Sequence, residues 1–268
     1  MLARERQSYI LDRVRQYGAV KVSDLTRVLS VSDMTVRRDL DLLARQGLVD
    51  KVHGGATSPL LTSTDEPGFE TKSGRERAEK DAIGRVAAAM VRPGCAVGLS
   101  AGTTTWTLAH RLRDVPGITV VTNSVQIASV FWSAPDPDQT VVLTGGVRTP
   151  SDALVGPIAV AALRSLNLDI VFLGVHGMDQ RTGFTSPNLL EAETSRALAR
   201  SARRLAVVAD HTKWNVVGIS TIADLAEADV VVTDDGWDPE ALATLSEQVS
   251  EIEVATVDSG PLTGTEGR

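Results

Sequence analysis

The sequence predicts an α/β chain in two parts, a small helical module closed by a β-hairpin and then a larger domain built on a mostly parallel sheet. Three observations carry that prediction. Val36, Leu40 and Leu43 fall at i, i+4 and i+7, one apolar stripe on a helix that follows two others. From Lys80 onward, short apolar runs alternate with helical stretches, the pattern of a sheet covered on both faces. Between the two parts, residues 58–79 are rich in Ser, Thr, Pro, Gly and charge and read as a linker. The spacing therefore divides the chain into a module over 1–57, a linker over 58–79 and a larger domain over 80–268.

Length and charge agree with two parts. The 268 residues exceed one typical domain of roughly 100–150 residues. The net charge of −7 is unevenly spread: residues 1–58 hold ten Lys and Arg against seven Asp and Glu, net +3, which leaves −10 on the remainder. A basic small module on an acidic body suits a nucleic-acid head carried by a sensing or oligomerising domain. No apolar run approaches the ~20 residues that span a bilayer, and Met1-Leu2-Ala3-Arg4-Glu5-Arg6 has no signal-peptide core behind it, so a cytoplasmic protein without a membrane partner is expected. The single cysteine, Cys95, excludes an intrachain disulfide and a cysteine-rich metal site, and reads as a small buried hydrophobe.

Taken in order, residues 4–17 place Ile10, Val14 and Tyr17 on one helical face, with Gly18 as a stop. Ala19-Val20-Lys21 has the composition of a brief strand. Ser23 is a candidate cap for a second helix whose Leu25, Val28 and Leu29 face inward. A tight turn at Ser30-Val31-Ser32 leads into the third helix, which ends near Gly47. Two short helices joined by so short a turn form a helix-turn-helix, and Leu48 to Ala56, with Gly54-Gly55, reads as a hairpin wing beside it. Off the apolar stripe of the third helix stand Thr35, Arg37 and Arg38, hydrogen-bonding side chains suited to phosphate oxygens and to guanine's major-groove edge. Ser32 precedes them, and Lys51 and His53 fall where a wing meets phosphate. Two arginines on a solvated helix face are the plain alternative.

In the larger domain, helix Lys80 to Val91 leads to strand Ala96 to Leu99, and helix Thr103 to Arg113 follows. Further buried-strand runs are 118–121, 140–143, 170–173, 205–208 and 230–232, separated by helices over 125–132, 158–166 and 190–202. That alternation makes the domain Rossmann-like, and ligands in such sheets bind beyond the carboxyl ends of the strands. Polar and glycine clusters fall at those ends: Ser100-Ala101-Gly102-Thr103-Thr104-Thr105, Thr122-Asn123-Ser124, Thr144-Gly145-Gly146, Gly174 to Asp179 and Asp210-His211-Thr212-Lys213. The first is a strand-loop-helix junction, where free backbone N–H groups and the helix dipole favour an anion such as phosphate. Thr105 facing the core and Gly102 serving only a turn is the alternative. The cluster lacks the Gly-Lys-Ser/Thr ending of a P-loop, which disfavours a nucleotide triphosphatase. Lys213, ahead of Arg148, is the candidate second positive group, and Asn123, Asp179 and Glu191 are candidate partners for hydroxyls. His53, His110, His176 and His211 have no metal-ligand spacing, so neither a metal nor a cofactor is expected.

Thr35-Val36-Arg37-Arg38-Asp39-Leu40 followed by His53-Gly54-Gly55-Ala56 resembles the winged helix-turn-helix of the DeoR family of bacterial transcriptional regulators. The resemblance extends through Gly102-Thr103-Thr104-Thr105, Thr122-Asn123-Ser124, Gly145-Gly146, Gly183-Phe184-Thr185 and Asp210-His211-Thr212-Lys213, which look like the motifs of that family's sensor domain. It implies a fold akin to ribose-5-phosphate isomerase and glucosamine-6-phosphate deaminase, and a response to phosphorylated sugars or related metabolites. Two departures stand out. Ser100 occupies a position where the family often has an acidic residue, and His176 stands where the isomerases carry one of two carboxylates, leaving Asp179 without that partner. A half-kept acid–base constellation argues for binding without turnover.

The expectation is thus a non-enzymatic regulator, a repressor of a carbohydrate operon, that binds double-stranded operator DNA and assembles as a homo-oligomer. Ser32, Thr35, Arg37, Arg38, Lys51 and His53 would meet the DNA. Ser100, Gly102, Thr103, Thr104, Thr105, Asn123, Gly145, Gly146, Asp179, Glu191 and Lys213 would hold a small phosphorylated effector. The rival is a sugar-phosphate isomerase or deaminase with an appended DNA-binding module.

Overall fold

The computed structural model describes residues 3–17, 19–52, 54–57, 63–64, 66, 68–133 and 138–257. The chain divides into two compact units, Met1–Thr62 and Ser63–Arg268. His53 and the side chain of Tyr17 fall outside the described residues, as do Leu60 and Leu61, which with Phe69 are the large apolar residues of the stretch read as linker. Among the described residues no helix is long and apolar enough to cross a membrane.

The first unit contains α1 (Ala3–Tyr17), β1 (Ala19–Lys21), α2 (Val22–Leu29), α3 (Asp33–Arg45), β2 (Asp50–Val52) and β3 (Gly55–Thr57). Its core is the meeting of the predicted stripes, with Ile10, Val14, Leu25, Leu29, Val36, Leu40 and Leu43 all buried. Two expectations for α2 fail. Val28 is 60% exposed, because an eight-residue helix turns Val22, Leu25 and Leu29 inward and leaves Val28 off that stripe. Ser23 does not cap it either: β1 runs straight into the helix, and the first free donor, Val22 N, is satisfied by Gly54 O at 2.8 Å. The wing is three-stranded, with β3 pairing antiparallel to both β1 and β2. Gly55 is required there, since a Cβ would sit 2.0 Å from Val20 O of the neighbouring strand.

The second unit opens with α4 (Phe69–Ser73) and α5 (Arg77–Ala88), so the stretch read as linker over 58–79 carries helix from Phe69. Phe69, 8% exposed, is the apolar residue that ties α4 down. The chain continues through β4 (Ala96–Leu99), α6 (Thr103–Leu112), β5 (Thr119–Thr122), α7 (Val125–Trp132), β6 (Thr140–Leu143), β7 (Val147–Arg148), β8 (Leu154–Val155) and α8 (Pro157–Leu163). It closes with β9 (Ile170–Gly174), β10 (Gly177–Asp179), β11 (Gly183–Ser186), α9 (Leu189–Arg200), β12 (Leu205–Val208), β13 (Ser220–Ala223), β14 (Val230–Asp234), α10 (Pro239–Ser246) and β15 (Ile252–Ala255).

Seven parallel strands form one sheet in the order β15-β14-β12-β9-β4-β5-β6. Successive residues of its central strands face opposite cores. Val97, Leu99, Ile170, Phe172, Ala206, Val208, Val230 and Val232 pack under α5, α6 and α7. Val171, Leu173, Leu205, Val207 and Val231 pack with Leu163 of α8, Leu198 of α9 and Leu245 of α10. Both faces are apolar, which is why these strands read as continuous hydrophobic runs in the sequence. A separate antiparallel sheet, β10-β11-β13, was not anticipated. Cys95 is half-buried against the first of these cores rather than enclosed in it.

The strand order reverses once, and ligands of such sheets bind at that point. From β4 the chain proceeds outward through β5 and β6, then returns to β9 on the other side of β4 and proceeds the opposite way. The reversal lies between β4 and β9, and the loops leaving their carboxyl ends part there.

Candidate functional site

In the first unit, α3 presents the predicted face. Ser32 is its N-cap and accepts from Thr35 N at 3.2 Å, while the two hydroxyls lie 2.9 Å apart. Ser32 and Thr35 therefore organise the helix start. Arg37 and Arg38 are both exposed, but they are not equivalent. Arg37 Nε donates to Asp33 Oδ1 at 2.5 Å, a bond that holds the guanidinium more firmly in its charged form. Arg38 has no hydrogen bond or ion pair among the described residues and is the uncommitted cation of the helix. Lys51 of the wing pairs with Asp41 of α3, which keeps that carboxyl below its usual range and holds the wing against the helix. Asp39, from the same motif, is 5% exposed and accepts from Arg6 and Gln7 of α1, so it points inward as the anchor of the helix. His53 lies outside the described residues.

In the second unit the loop after β4 sits at the strand-order reversal. Ser100 Oγ accepts from Gly174 N at 2.9 Å and so bridges the ends of β4 and β9. Thr105 is fully buried, and its hydroxyl donates to Ser100 O at 2.7 Å; its role is to close the loop, so it offers no donor to a ligand. Asn123 is likewise committed: Oδ1 accepts from Ala101 N at 2.8 Å and Nδ2 donates to Leu154 O at 3.1 Å. It frames the crevice in place of the hydroxyl contact expected of it. Gly102 is the N-cap of α6 and has no side chain to give, so the helix start carries no side-chain cap. Thr103 and Thr104, each 7% exposed, have hydroxyls with no hydrogen bond among the described residues. Uncapped N–H groups beside two unengaged hydroxyls are what an anion needs.

Gly145 and Gly146 follow the end of β6 with φ of 74° and 122°. A Cβ on Gly146 would lie 2.5 Å from Val155 O, so this loop is glycine because the β7–β8 hairpin passes against it. Between β7 and β8, Thr149 donates to Glu191 Oε1 at 2.7 Å, and Ser151 donates to the same oxygen. Glu191, on the first turn of α9, is pushed up by burial and by its neighbour Glu66. Glu66 takes a 2.8 Å bond from Asn188 Nδ2; burial raises its carboxyl, but the hydrogen bonds it receives outweigh this and lower it. The two carboxyls are thus shifted in opposite directions, Glu191 up and Glu66 down.

Three lysines converge on this end of the sheet. Lys213, after β12, lowers the charged forms of both Lys72 and Lys80 through like-charge repulsion. Burial lowers Lys72, opposed chiefly by Glu191, and burial lowers Lys80 to about 8, opposed chiefly by Asp210. Asp210 is fully buried; Oδ1 accepts from Thr212, while Oδ2 has no hydrogen-bond partner. Lys72, Thr149, Ser151 and Asp210 were not read from the sequence as site residues. Lys72 lay in the presumed linker, whose only large apolar anchors are Leu60, Leu61 and Phe69.

Asp179 is placed elsewhere. Its Oδ1 accepts from Arg181 N, Thr182 N and Thr182 Oγ1, which close the β10–β11 turn; burial raises its carboxyl but these bonds lower it overall. The strand-end loop expected at Gly174–Asp179 is instead a hairpin, because Gly177 to Asp179 pair with Thr185 to Gly183. Asp179 therefore closes this turn through Oδ1. Among the described residues no group of three or more His, Cys, Asp or Glu could hold a metal ion.

Comparison with known proteins covers both units. The profile of the DeoR-like helix-turn-helix domain matches residues 6–61, and that of the DeoR C-terminal sensor domain matches residues 75–235. The Escherichia coli K12 protein described as uncharacterized HTH-type transcriptional regulator YgbI is 36% identical over 256 residues, 95% of this chain and 99% of that one. The HTH-type transcriptional regulator GolR of Listeria innocua is 33% identical over 232 residues, 86% of this chain and 90% of that one. The glycerol-3-phosphate regulon repressor of Escherichia coli K12 is 29% identical over 231 residues, again 86% of this chain and 90% of that one.

Proposed function

The chain belongs to the DeoR family of transcriptional regulators, and from that premise we propose that it represses a carbohydrate-metabolism operon and is controlled by a small phosphorylated sugar or related metabolite. The observation that carries the effector class is the uncapped start of α6, with the Thr103 and Thr104 hydroxyls unengaged, at the point where the strand order reverses. A phosphate there would accept from the free N–H groups and both hydroxyls, with Lys72 and Lys213 as counter-charges. The glycerol-3-phosphate regulon repressor among its relatives fits the same chemistry.

Ser32, Thr35, Arg37, Arg38, Lys51 and His53 would contact the operator in the cytoplasm, with α3 in the major groove. Ligand binding changes DNA affinity only by its differential affinity for two states of the protein. Assembly as a homo-oligomer fits the exposed Ile158, Leu189 and Leu190 on α8 and α9, which pack on one another. Turnover is disfavoured because His176 stands where the isomerases carry the second carboxylate, which leaves Asp179 without that partner.

The test is binding of the purified protein to labelled DNA from upstream of its own gene and neighbouring operons. Salt is held fixed, because phosphate contacts make affinity steeply salt-dependent. Release of the DNA by one member of a panel of sugar phosphates supports the reading. Binding that no phosphorylated compound alters would overturn the effector class, and turnover of ribose 5-phosphate or glucosamine 6-phosphate would revive the enzyme.

A further inference from the structure

We propose that Lys72 is the residue through which the sensor couples its anion to the segment leading back to the DNA-binding unit, a role that rests on the effector site described above. Two i, i+3 pairs place Lys72 at that site. On α4, Phe69 and Lys72 share a face; on α6, Thr103 and Trp106 share one. Phe69 meets Trp106 edge-on with ring centroids 5.8 Å apart, so the face of α4 that bears Lys72 is turned toward the face of α6 that bears Thr103.

The Lys72 ammonium has no hydrogen bond or ion pair among the described residues, although Glu191, Glu66 and Asp152 all act on its charge. A cation that is largely withdrawn from water and lacks a bonded partner gains strongly from an anion placed beside it. Thr103 and Thr104, residues each 7% exposed on the first turn of α6 with hydroxyls that bond to no described residue, mark the place for such an anion.

The backbone of Lys72 is already fixed from the other side. Lys80, 4% exposed on α5, donates through Nζ to Lys72 O at 2.7 Å and to Arg75 O at 2.5 Å. Upstream, Glu66 is held by Asn188, and Ser63 O accepts from Ile219 N at 2.7 Å. Ser63, Glu66, Lys72 and Arg75 are thus each fastened within the sensor unit, and the Lys72 ammonium is the point that a ligand can add. An anion that recruits it stiffens the chain that leads directly into the first unit.

Hydrogen–deuterium exchange on the full chain, with inorganic phosphate as the probe, tests this. In the wild type, phosphate slows exchange in peptides over 101–107 and over 66–77. In Lys72→Gln, protection over 101–107 needs about tenfold more phosphate and protection over 66–77 is lost, as expected for one charge-assisted hydrogen bond. Lys72→Arg keeps both, and unchanged exchange in the β12 and β14 peptides establishes that each variant is folded. Protection over 101–107 without any over 66–77 in the wild type overturns the role of Lys72 and leaves the anion site standing. Equal protection over 66–77 in wild type and Lys72→Gln does the same. No protection over 101–107 in the wild type removes the anion site itself, and the coupling with it.

Discussion

Arg6 on α1 and Asp39 on α3 form a two-point contact, Nε to Oδ2 at 2.5 Å and Nη2 to Oδ1 at 3.2 Å, beneath the helix proposed to read the operator. Gln7 adds a third bond to Asp39 Oδ1 at 3.0 Å. The acidic residue beside the exposed arginines is therefore not a charge-balancing surface group. With side-chain exposures of 12% and 6%, the pair ties α3 to α1 at a largely enclosed contact. Asp39→Ala strands a nearly buried guanidinium and should destabilise the first unit by about 1–3 kcal/mol. Chemical denaturation followed by a probe in that unit measures this; a change under a few tenths of a kcal/mol would falsify the anchoring role.

Arg38 and Arg37 should separate in operator binding. Arg37 is bonded to Asp33, whereas Arg38 is uncommitted. Arg38→Ala is expected to weaken operator affinity by about tenfold or more, and Arg37→Ala by less, at one fixed salt concentration. Fluorescence anisotropy with labelled operator reads both. An affinity of Arg38→Ala within about threefold of wild type sinks the assignment of α3 as the reading helix.

How far the sequence could be read depends on whether its signal was local. The buried strands were legible because both faces are covered, so Ile170 to Leu173 and Leu205 to Val208 are unbroken apolar runs. The stripe Val36, Leu40 and Leu43 was legible because helical spacing alone defines it. The antiparallel sheet β10-β11-β13 was not, since β13 joins β11 from more than thirty residues away and no local period announces it. The site was half legible for the same reason. Glycines and threonines at strand ends mark a crevice, but which hydroxyl is free depends on distant partners: Asn123 is consumed by Ala101 and Leu154, and Thr105 by Ser100. Lys72 was hidden because five residues of helix in a polar stretch carry too little pattern, and only the contact of Phe69 with Trp106 reveals its place.

Gly102→Asp should abolish the effector response and leave operator affinity unchanged. The new carboxylate would stand at the N-cap of α6, where it satisfies the free N–H groups that the anion needs and repels a second negative charge. A Cβ there meets only Thr105 Oγ1, at 3.2 Å, so the Thr105 hydroxyl must give by a few tenths of an ångström, and the thermal midpoint of the variant checks that the unit stays folded. DNA release by the active sugar phosphate is the readout, and a midpoint unchanged from wild type refutes the placement of the anion.

His211 and Asp234 give the sensor a defined pH dependence. His211 Nδ1 lies 2.6 Å from Asp234 Oδ2, and Asp234, 1% exposed, also accepts from the backbone of His211 and Gly236. The bond to Asp234 raises His211, opposed by burial and supported by the charges of Asp234, Asp210 and Glu76. Burial raises Asp234, but His211 and the two backbone donors outweigh it and lower the carboxyl. For the raised histidine, stabilisation is complete below its unfolded value near 6.5 and is lost as pH climbs through the higher folded value. For the lowered aspartate, stabilisation is complete above 3.8 and is lost as pH falls through the lower folded value. The pair therefore contributes most between about pH 4 and 6.5, on the order of 1 kcal/mol because the ring is partly exposed. Thermal midpoints of wild type and His211→Asn, followed from pH 5 to 9 on the same buffer series, should differ most at the acid end and converge as pH rises. A gap that stays constant across that range means the imidazole packs without its charge mattering.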